Sequence, residues 1–194
     1  PGSVQSEVRL GHLGVARTTP NYLPLSIGNL LLGGTFTSRL NLNLRERNGF
    51  TYGVRSRFSF RSQPGPFQVS TAVGNEVTAS AVREILSELE SLVVDGVTRE
   101  EVDAARDYAA GVFGLHLETA GQIASRLNQI LVYGLPDDYY HLYRDNIRSV
   151  STEEVTSAVK AHIRPDEVQV VIVGDAESIS GSVDALGLGP LEVV

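Results

Sequence analysis

Two hydrophobic periods take turns along this chain, one of two residues and one of three to four. Residues 3–14 alternate, with Val4, Val8 and Leu10 set against Gln5, Glu7 and Arg9, which predicts a first strand. Thr19-Pro20-Asn21 marks a turn, and the very apolar run 23–32 predicts a helix buried beneath a sheet. Gly33-Gly34 interrupts that run, at a point where the backbone takes φ > 0 without steric cost. Residues 35–47 predict a helix with Phe36, Leu40 and Leu44 on one face, stopped by Asn48-Gly49. From 52 to 61 the period drops to two. Tyr52, Val54, Phe58 and Phe60 share one side, Arg55, Arg57 and Arg61 the other. Gln63-Pro64-Gly65-Pro66 is a turn, and 67–73 predict the antiparallel partner strand.

The second half reads as mostly helical. Asn75 is placed to cap a helix whose Val82, Ile85, Leu86, Leu89 and Val93 recur at three and four, closed by Gly96. Thr98 to Glu101 has the form of a capping box for the next helix, with Val102, Tyr108, Ala109 and Val112 turned inward. A third helix is expected over about 120–133, with Ile123, Leu127, Ile130 and Leu131 apolar, and a short one over 138–146. Ser151 to Glu154 offers a second capping box for a helix ending at His162. Residues 168–173 are wholly apolar and predict a strand; 176–194, rich in Gly and Ser, predict loop with room for one short element. Strands and helices are segregated rather than alternating. This favours an α+β fold, a largely antiparallel sheet with helices packed on one face. The length suits a single domain over 1–194, with a core of about 1–175 and a C-terminal tail at 176–194.

Composition narrows the class. An apolar content of 42% and a mean hydropathy of −0.01 describe a folded, soluble chain. No apolar run approaches the roughly 18 residues a membrane helix needs. With no cysteine there is neither a disulfide nor a thiolate ligand. The absence of methionine implies that Pro1 is not a natural start, so a cut or processed product is expected, with any targeting segment upstream. The compartment stays open between a bacterial cytoplasm and periplasm.

Charge singles out one stretch. Between Arg39 and Arg61 lie six arginines and one acid, Glu46, a local balance of +5; the whole chain carries −7, so the remainder carries −12. Such a strip is either a solvated helix face beside a solvated sheet face, or a local field that collects anionic groups. Nucleic acid fits poorly, because alternation sends Tyr52, Phe58 and Phe60 to the side opposite Arg55, Arg57 and Arg61.

The same stretch, GGTFTSRLNLNLRERNGFTYGV, resembles the C-terminal-type domain of the M16 (pitrilysin / mitochondrial processing peptidase) family of zinc peptidases. The likeness rests on the Gly-Gly-x-Phe-x-Ser-Arg-Leu opening, the Leu44-Arg45-Glu46 helix end and the Gly49-x-x-Tyr52 approach to the strand. YGLPDDYYHLYRDNIRSVSTEEV, from Tyr133 to Val155, resembles the helical end of that domain. The resemblance implies a LuxS/MPP-like metallohydrolase fold. It also implies the non-zinc half of a peptidase, inactive alone, completing the site of a zinc-bearing partner domain or subunit that binds unstructured peptide. Arg45 and Tyr52, seven apart, match the Arg and Tyr that this domain type contributes to the substrate backbone and the oxyanion. Gly33 and Gly34 would be a plain turn or backbone beside substrate. Arg55, Arg57 and Arg61 would bind substrate from the uncovered sheet face. The alternative is an inactive structural or interaction subunit.

No zinc ligand set is expected in this chain, and zinc belongs on the partner. The inverted motif H-x-x-E-H is missing, and His12, His116, His141 and His162 read as surface or helix-end residues. Neither a G-x-S-x-G elbow nor a phosphate loop is present.

Overall fold

The alternating segments pair into one sheet. A computed structural model describes residues 2–194. Strand β1 (Gln5–Leu13) lies between β3 (Pro66–Gly74) and β4 (Gln169–Val173), and β2 (Val54–Phe58) flanks β3 on the outside. Every pairing is antiparallel, and the register sets Arg55 opposite Ser70, Ser70 opposite Arg9 and Arg9 opposite Val171. Because side chains alternate across a strand, that row lies on one face. The other face carries Val8, Leu10, Val54, Phe58, Phe67, Val69 and Val73, all buried. A one-residue slip would exchange the two sets, so burial itself fixes the register.

Helices cover only the apolar face. They are α1 (Tyr22–Asn29), α2 (Arg39–Asn41), α3 (Thr78–Asp95), α4 (Arg99–Val112), α5 (Ala120–Tyr133), α6 (Tyr143–Ser149), α7 (Thr152–His162) and α8 (Ala176–Asp184). Helix α3 presents Ala81, Val82, Ile85, Leu89 and Leu92 inward, a three-and-four stripe with none of its members exposed. Helices α1 and α7 cross at Gly28, where a Cβ would stand 2.8 Å from Val159 Cγ2. Complete capping boxes open α4 at Thr98, α5 at Thr119 and α7 at Ser151. No helix among the described residues is long and apolar enough to cross a membrane.

Several local expectations are corrected. Helix α1 does not stop at the glycines but runs on into a π turn, Leu30–Gly34, and α2 runs on into a second, Leu42–Arg47. Neither Gly33 nor Gly34 has a positive φ. Ser38, not Thr35, precedes α2, so Phe36 lies outside the helix and is 69% exposed. Asn75 caps nothing; it bonds Ser6 and Ser3, and α3 is approached through a single 3₁₀ turn, Asn75–Val77. Tyr108 faces outward, and α5 buries none of its residues. The short helix begins at Tyr143 rather than Asp138, because 137–141 form turns. Strand β4 is an edge with Val171 and Val173 exposed, and α8 with its buried Ile179 fills part of the stretch expected to be loop. His12 points into the core from β1 rather than lying on the surface.

Candidate functional site

The first π turn lies against β2. A Cβ on Gly33 would meet the Ser56 backbone nitrogen and Oγ at 2.7 Å each, so glycine is required there by close approach. Next to it, the Asn41 side chain is 6% exposed and fully engaged. Its Oδ1 accepts the Val54 N–H at 3.1 Å, and its Nδ2 donates to the Val54 and Thr35 carbonyls at 2.9 and 3.0 Å. Asn29 Oδ1 accepts from the Ser56 hydroxyl at 2.9 Å. An edge strand with free polar groups invites unwanted pairing. Here two asparagines and a π turn close the outer edge of β2.

The loop before β2 is held just as firmly. Thr71 Oγ1 donates to Thr51 Oγ1 at 2.9 Å; Thr51 Oγ1 in turn donates to the Ala72 carbonyl at 2.8 Å and accepts the Gly53 N–H at 3.1 Å. Upstream, Gly49 takes φ +65°, and the Phe50 N–H donates to the Leu44 carbonyl at 2.8 Å. With Thr51 and Gly53 fixed, Tyr52 between them projects outward and is 97% exposed. The strand begins only at Val54, so alternation does not carry back to Tyr52 and does not send it to the core. Its hydroxyl makes no hydrogen bond to another described residue.

These pieces enclose an open cleft of about 830 Å³. Gly33, Gly34, Tyr52, Arg55 and Arg57 all line it, as do Arg9, Phe36, Asn41 and Tyr108. Arg9 pairs with Glu7 at 2.9 Å, whereas Arg55 and Arg57 have no acidic partner among the described residues. Two expected members lie elsewhere. Arg45 stands behind the cleft wall, its Cζ 3.3 Å from the ring centroid of Phe36, and it forms an ion pair with Glu46. Arg61 is exposed past the end of β2 and lines a different cavity of 430 Å³. The cleft thus offers the phenols of Tyr52 and Tyr108 and two guanidiniums without acidic partners as donors, but no carboxylate or histidine to act as a base.

Arg39, at the start of α2, is structural. Its guanidinium donates twice to Glu101, at 2.6 and 2.7 Å, and to the Gly96 carbonyl at 3.0 Å. The hydrogen bonds it donates to Glu101 raise its pKa above the ordinary value. Burial alone would push the Glu101 carboxyl up, but the bonds from Arg39 and the Thr98 N–H outweigh it and hold the carboxyl below its usual range.

Two of the four histidines are likewise committed. His12 Nδ1 lies 3.0 Å from the Leu13 carbonyl and Nε2 accepts the Arg164 N–H at 3.1 Å, while His162 Nε2 meets Asn21 Nδ2 at 2.8 Å. Among the described residues no three His, Asp or Glu side chains converge as a metal site.

Sequence reasoning missed Asn41, Asn29 and Tyr108. A polar residue between Leu40 and Leu44 on an inward face was a usable signal for Asn41. Asn29 and Tyr108 gave none, because they reach the cleft only through tertiary packing.

Comparison with known proteins sets this geometry in a family. The profile described as "Peptidase M16 inactive domain" matches residues 1–108. An uncharacterized zinc protease of Mycobacterium tuberculosis is 32% identical over 88% of this chain and 39% of its own length. A non-peptidase homologue from Helicobacter pylori is 30% identical over 75% of the chain and 34% of its own length. The crystal structure of a peptidase M16 inactive domain from Pseudomonas fluorescens superposes with a TM-score of 0.82 at 29% identity, covering 88% of this chain and 40% of that one. The chain belongs to the M16 inactive-domain family. It spans about two fifths of the length of the curated relatives it matches.

Proposed function

We propose that this chain is the non-zinc half of an M16-type peptidase, and that it completes the site of a zinc-bearing partner domain or subunit. The observation that carries the reading is Tyr52. An aromatic residue left 97% exposed, on a loop pinned by Thr51 and Thr71, has no packing role to explain it. Its place at an open cleft with free arginines gives it a chemical role instead. A phenol held in advance toward developing negative charge stabilises a transition state without titrating. Arg55 and Arg57 then hold an extended peptide by its carbonyls or acidic side chains, and Gly33 gives the cleft a wall of bare backbone. Arg45 acts from behind the cleft wall, through Phe36. Zinc and its activated water are supplied by the partner.

The test is reconstitution with the zinc-bearing half. Tyr52→Phe removes one hydroxyl from an exposed ring, so stability should be unchanged. The value of kcat should fall roughly 10²–10³-fold, the usual loss on deleting one oxyanion donor. A variant within twofold of the parent, partner and zinc intact, sinks the assignment.

A second reading is a structural subunit without peptidase function. It is supported by the 30% identity to a non-peptidase homologue and by the Arg45–Glu46 ion pair, which draws Arg45 away from the cleft. Reconstituted protein that binds its partner yet never hydrolyses peptide would favour it.

A further inference from the structure

The cleft continues past Phe58. Arg57 and Tyr108 line both the Tyr52 cleft and a narrower cavity of 270 Å³, and Arg57 and Arg126 line that cavity and the 430 Å³ one beyond it. Arg57 therefore borders all three. The last cavity is walled by Arg17, Arg57, Arg61 and Arg126 with the rings of Tyr22 and Phe60, and no acidic residue lines it. In a chain of net charge −7, four guanidiniums around one hollow are a local inversion of sign.

Arg17 is the unusual member. It is 4% exposed, and a buried charge is ordinarily paired. Its Cζ stands 3.4 Å from the Tyr22 ring centroid and 5.2 Å from that of Tyr139, and Nη2 donates to the Tyr139 hydroxyl at 3.0 Å. No carboxylate of the described residues pairs with it. Its Nε is sealed without a hydrogen-bond partner; Nη1 also lacks one but keeps contact with solvent. The aromatic rings stabilise the cation yet supply no acceptor for these N–H groups.

We propose that this hollow is a carboxylate-binding subsite that anchors one end of a peptide lying extended along β2. It rests on the reading of the cleft as a peptide channel. Tyr22, Phe60 and Tyr133 would take an apolar side chain next to the carboxylate, and Arg17, Arg61 and Arg126 the charge itself. The chain from Gly53 to Phe58, all but its first residue in β2, covers on the order of 17 Å at about 3.3 Å per residue. A peptide held at the arginines therefore passes Tyr52 about five residues from its anchored end. The pocket works as a ruler, favouring cleavage at a set distance from a carboxylate.

The experiment is fluorescence anisotropy on the 194-residue chain with three labelled peptides, eight residues long and otherwise uncharged. One ends in Phe with a free carboxylate, one in Phe amide, and one is the amide with Asp beside the Phe. The free acid is expected to bind at least tenfold more tightly than the amide at low salt, the preference shrinking as ionic strength rises. Arg61→Gln and Arg126→Gln, both outside the core, should each cut the preference at least threefold. Arg17→Gln should abolish it, with folding checked by circular dichroism. Equal binding of the Asp amide and the free acid supports the subsite and means that it takes a side-chain carboxylate as well as a terminal one. Equal binding of all three peptides, or a preference untouched by Arg61→Gln and Arg126→Gln, overturns it. The assay needs no zinc-bearing partner, so the two readings fail separately. Tyr52-dependent hydrolysis that ignores peptide charge removes only the subsite, and carboxylate binding in a chain that never supports hydrolysis removes only the peptidase role.

Discussion

The side-chain amide of Asn41 pairs with both backbone groups of Val54, as a neighbouring strand would, with contacts of 3.1 Å to the N–H and 2.9 Å to the carbonyl. One helical residue thereby ends the sheet and sets where β2 starts. Asn41→Leu strands two buried backbone groups, and the loss should be about 2–4 kcal/mol. Urea denaturation measures it. A variant less than about 1 kcal/mol weaker would mean that water replaces the amide.

Gly33→Ala places a methyl group 2.7 Å from the Ser56 nitrogen, and backbone cannot yield as a flexible side chain does. Overpacking of this kind costs about 1–3 kcal/mol. The same change should push β2 outward and narrow the cleft, so peptide binding should weaken along with stability. Gly34→Ala is the control, because Gly34 is exposed and its nearest contact, the Asn29 carbonyl, is at 3.0 Å. It should perturb binding less.

Arg45→Ala should raise KM at least as much as it lowers kcat, since a group that steadies the cleft wall serves substrate and transition state alike. Phe36→Ala should reproduce that pattern in the reconstituted enzyme, because the guanidinium reaches the cleft through that ring. A pure kcat loss for Arg45→Ala alone would instead place the guanidinium on the oxyanion.

Stability should fall as the solution becomes acidic, in two stages. Burial lowers the pKa of His12, with Arg164 adding to the shift while Leu13 and Glu167 oppose it; burial and then Arg164 lower that of His162. The unfolded chain takes up these protons first. The histidine contribution is therefore complete above the ordinary value of 6.5 and is lost as pH drops through the depressed folded values. Glu101 is also depressed, so its contribution is complete above 4.5 and disappears below that. Thermal melts from pH 7 to 5 should show the first decline, flattened in His12→Gln. Glu101→Gln should cost about 1–2 kcal/mol at pH 7, because it breaks a charge-assisted pair. A melting temperature constant from pH 7 to 5 would contradict the histidine assignment.

The sequence showed the sheet, the helical layer and most of the cleft because those follow from period, caps and a long motif. Val54, Ser56 and Phe58 alternate with Arg55 and Arg57, and the structure keeps that order, with both arginines on the uncovered face. Reasoning failed where tertiary contacts decide. Tyr52 shares the parity of Val54, yet a threonine pair, not strand geometry, aims it. Phe36 fits a helical stripe on paper, but the helix begins only at Arg39, after an extended Ser38. Arg17 sits in a polar loop and gives no hint of burial; only the converging rings of Tyr22, Tyr133 and Tyr139, far apart in sequence, create its environment.

The two π turns, Leu30–Gly34 and Leu42–Arg47, closed by i→i+5 bonds, each hold one residue more than an α turn does. Removing a single residue from either would let the wide turn close to ordinary α winding, and the residues inside it would take new directions. A deletion within 30–34 would swing Gly33 off the Ser56 backbone, and one within 42–47 would turn Arg45 away from Phe36, with no side chain chemically altered. The shape of this cleft is thus stored in residue count as well as residue identity. A scan of single-residue deletions would read out this count, which a substitution scan leaves unchanged.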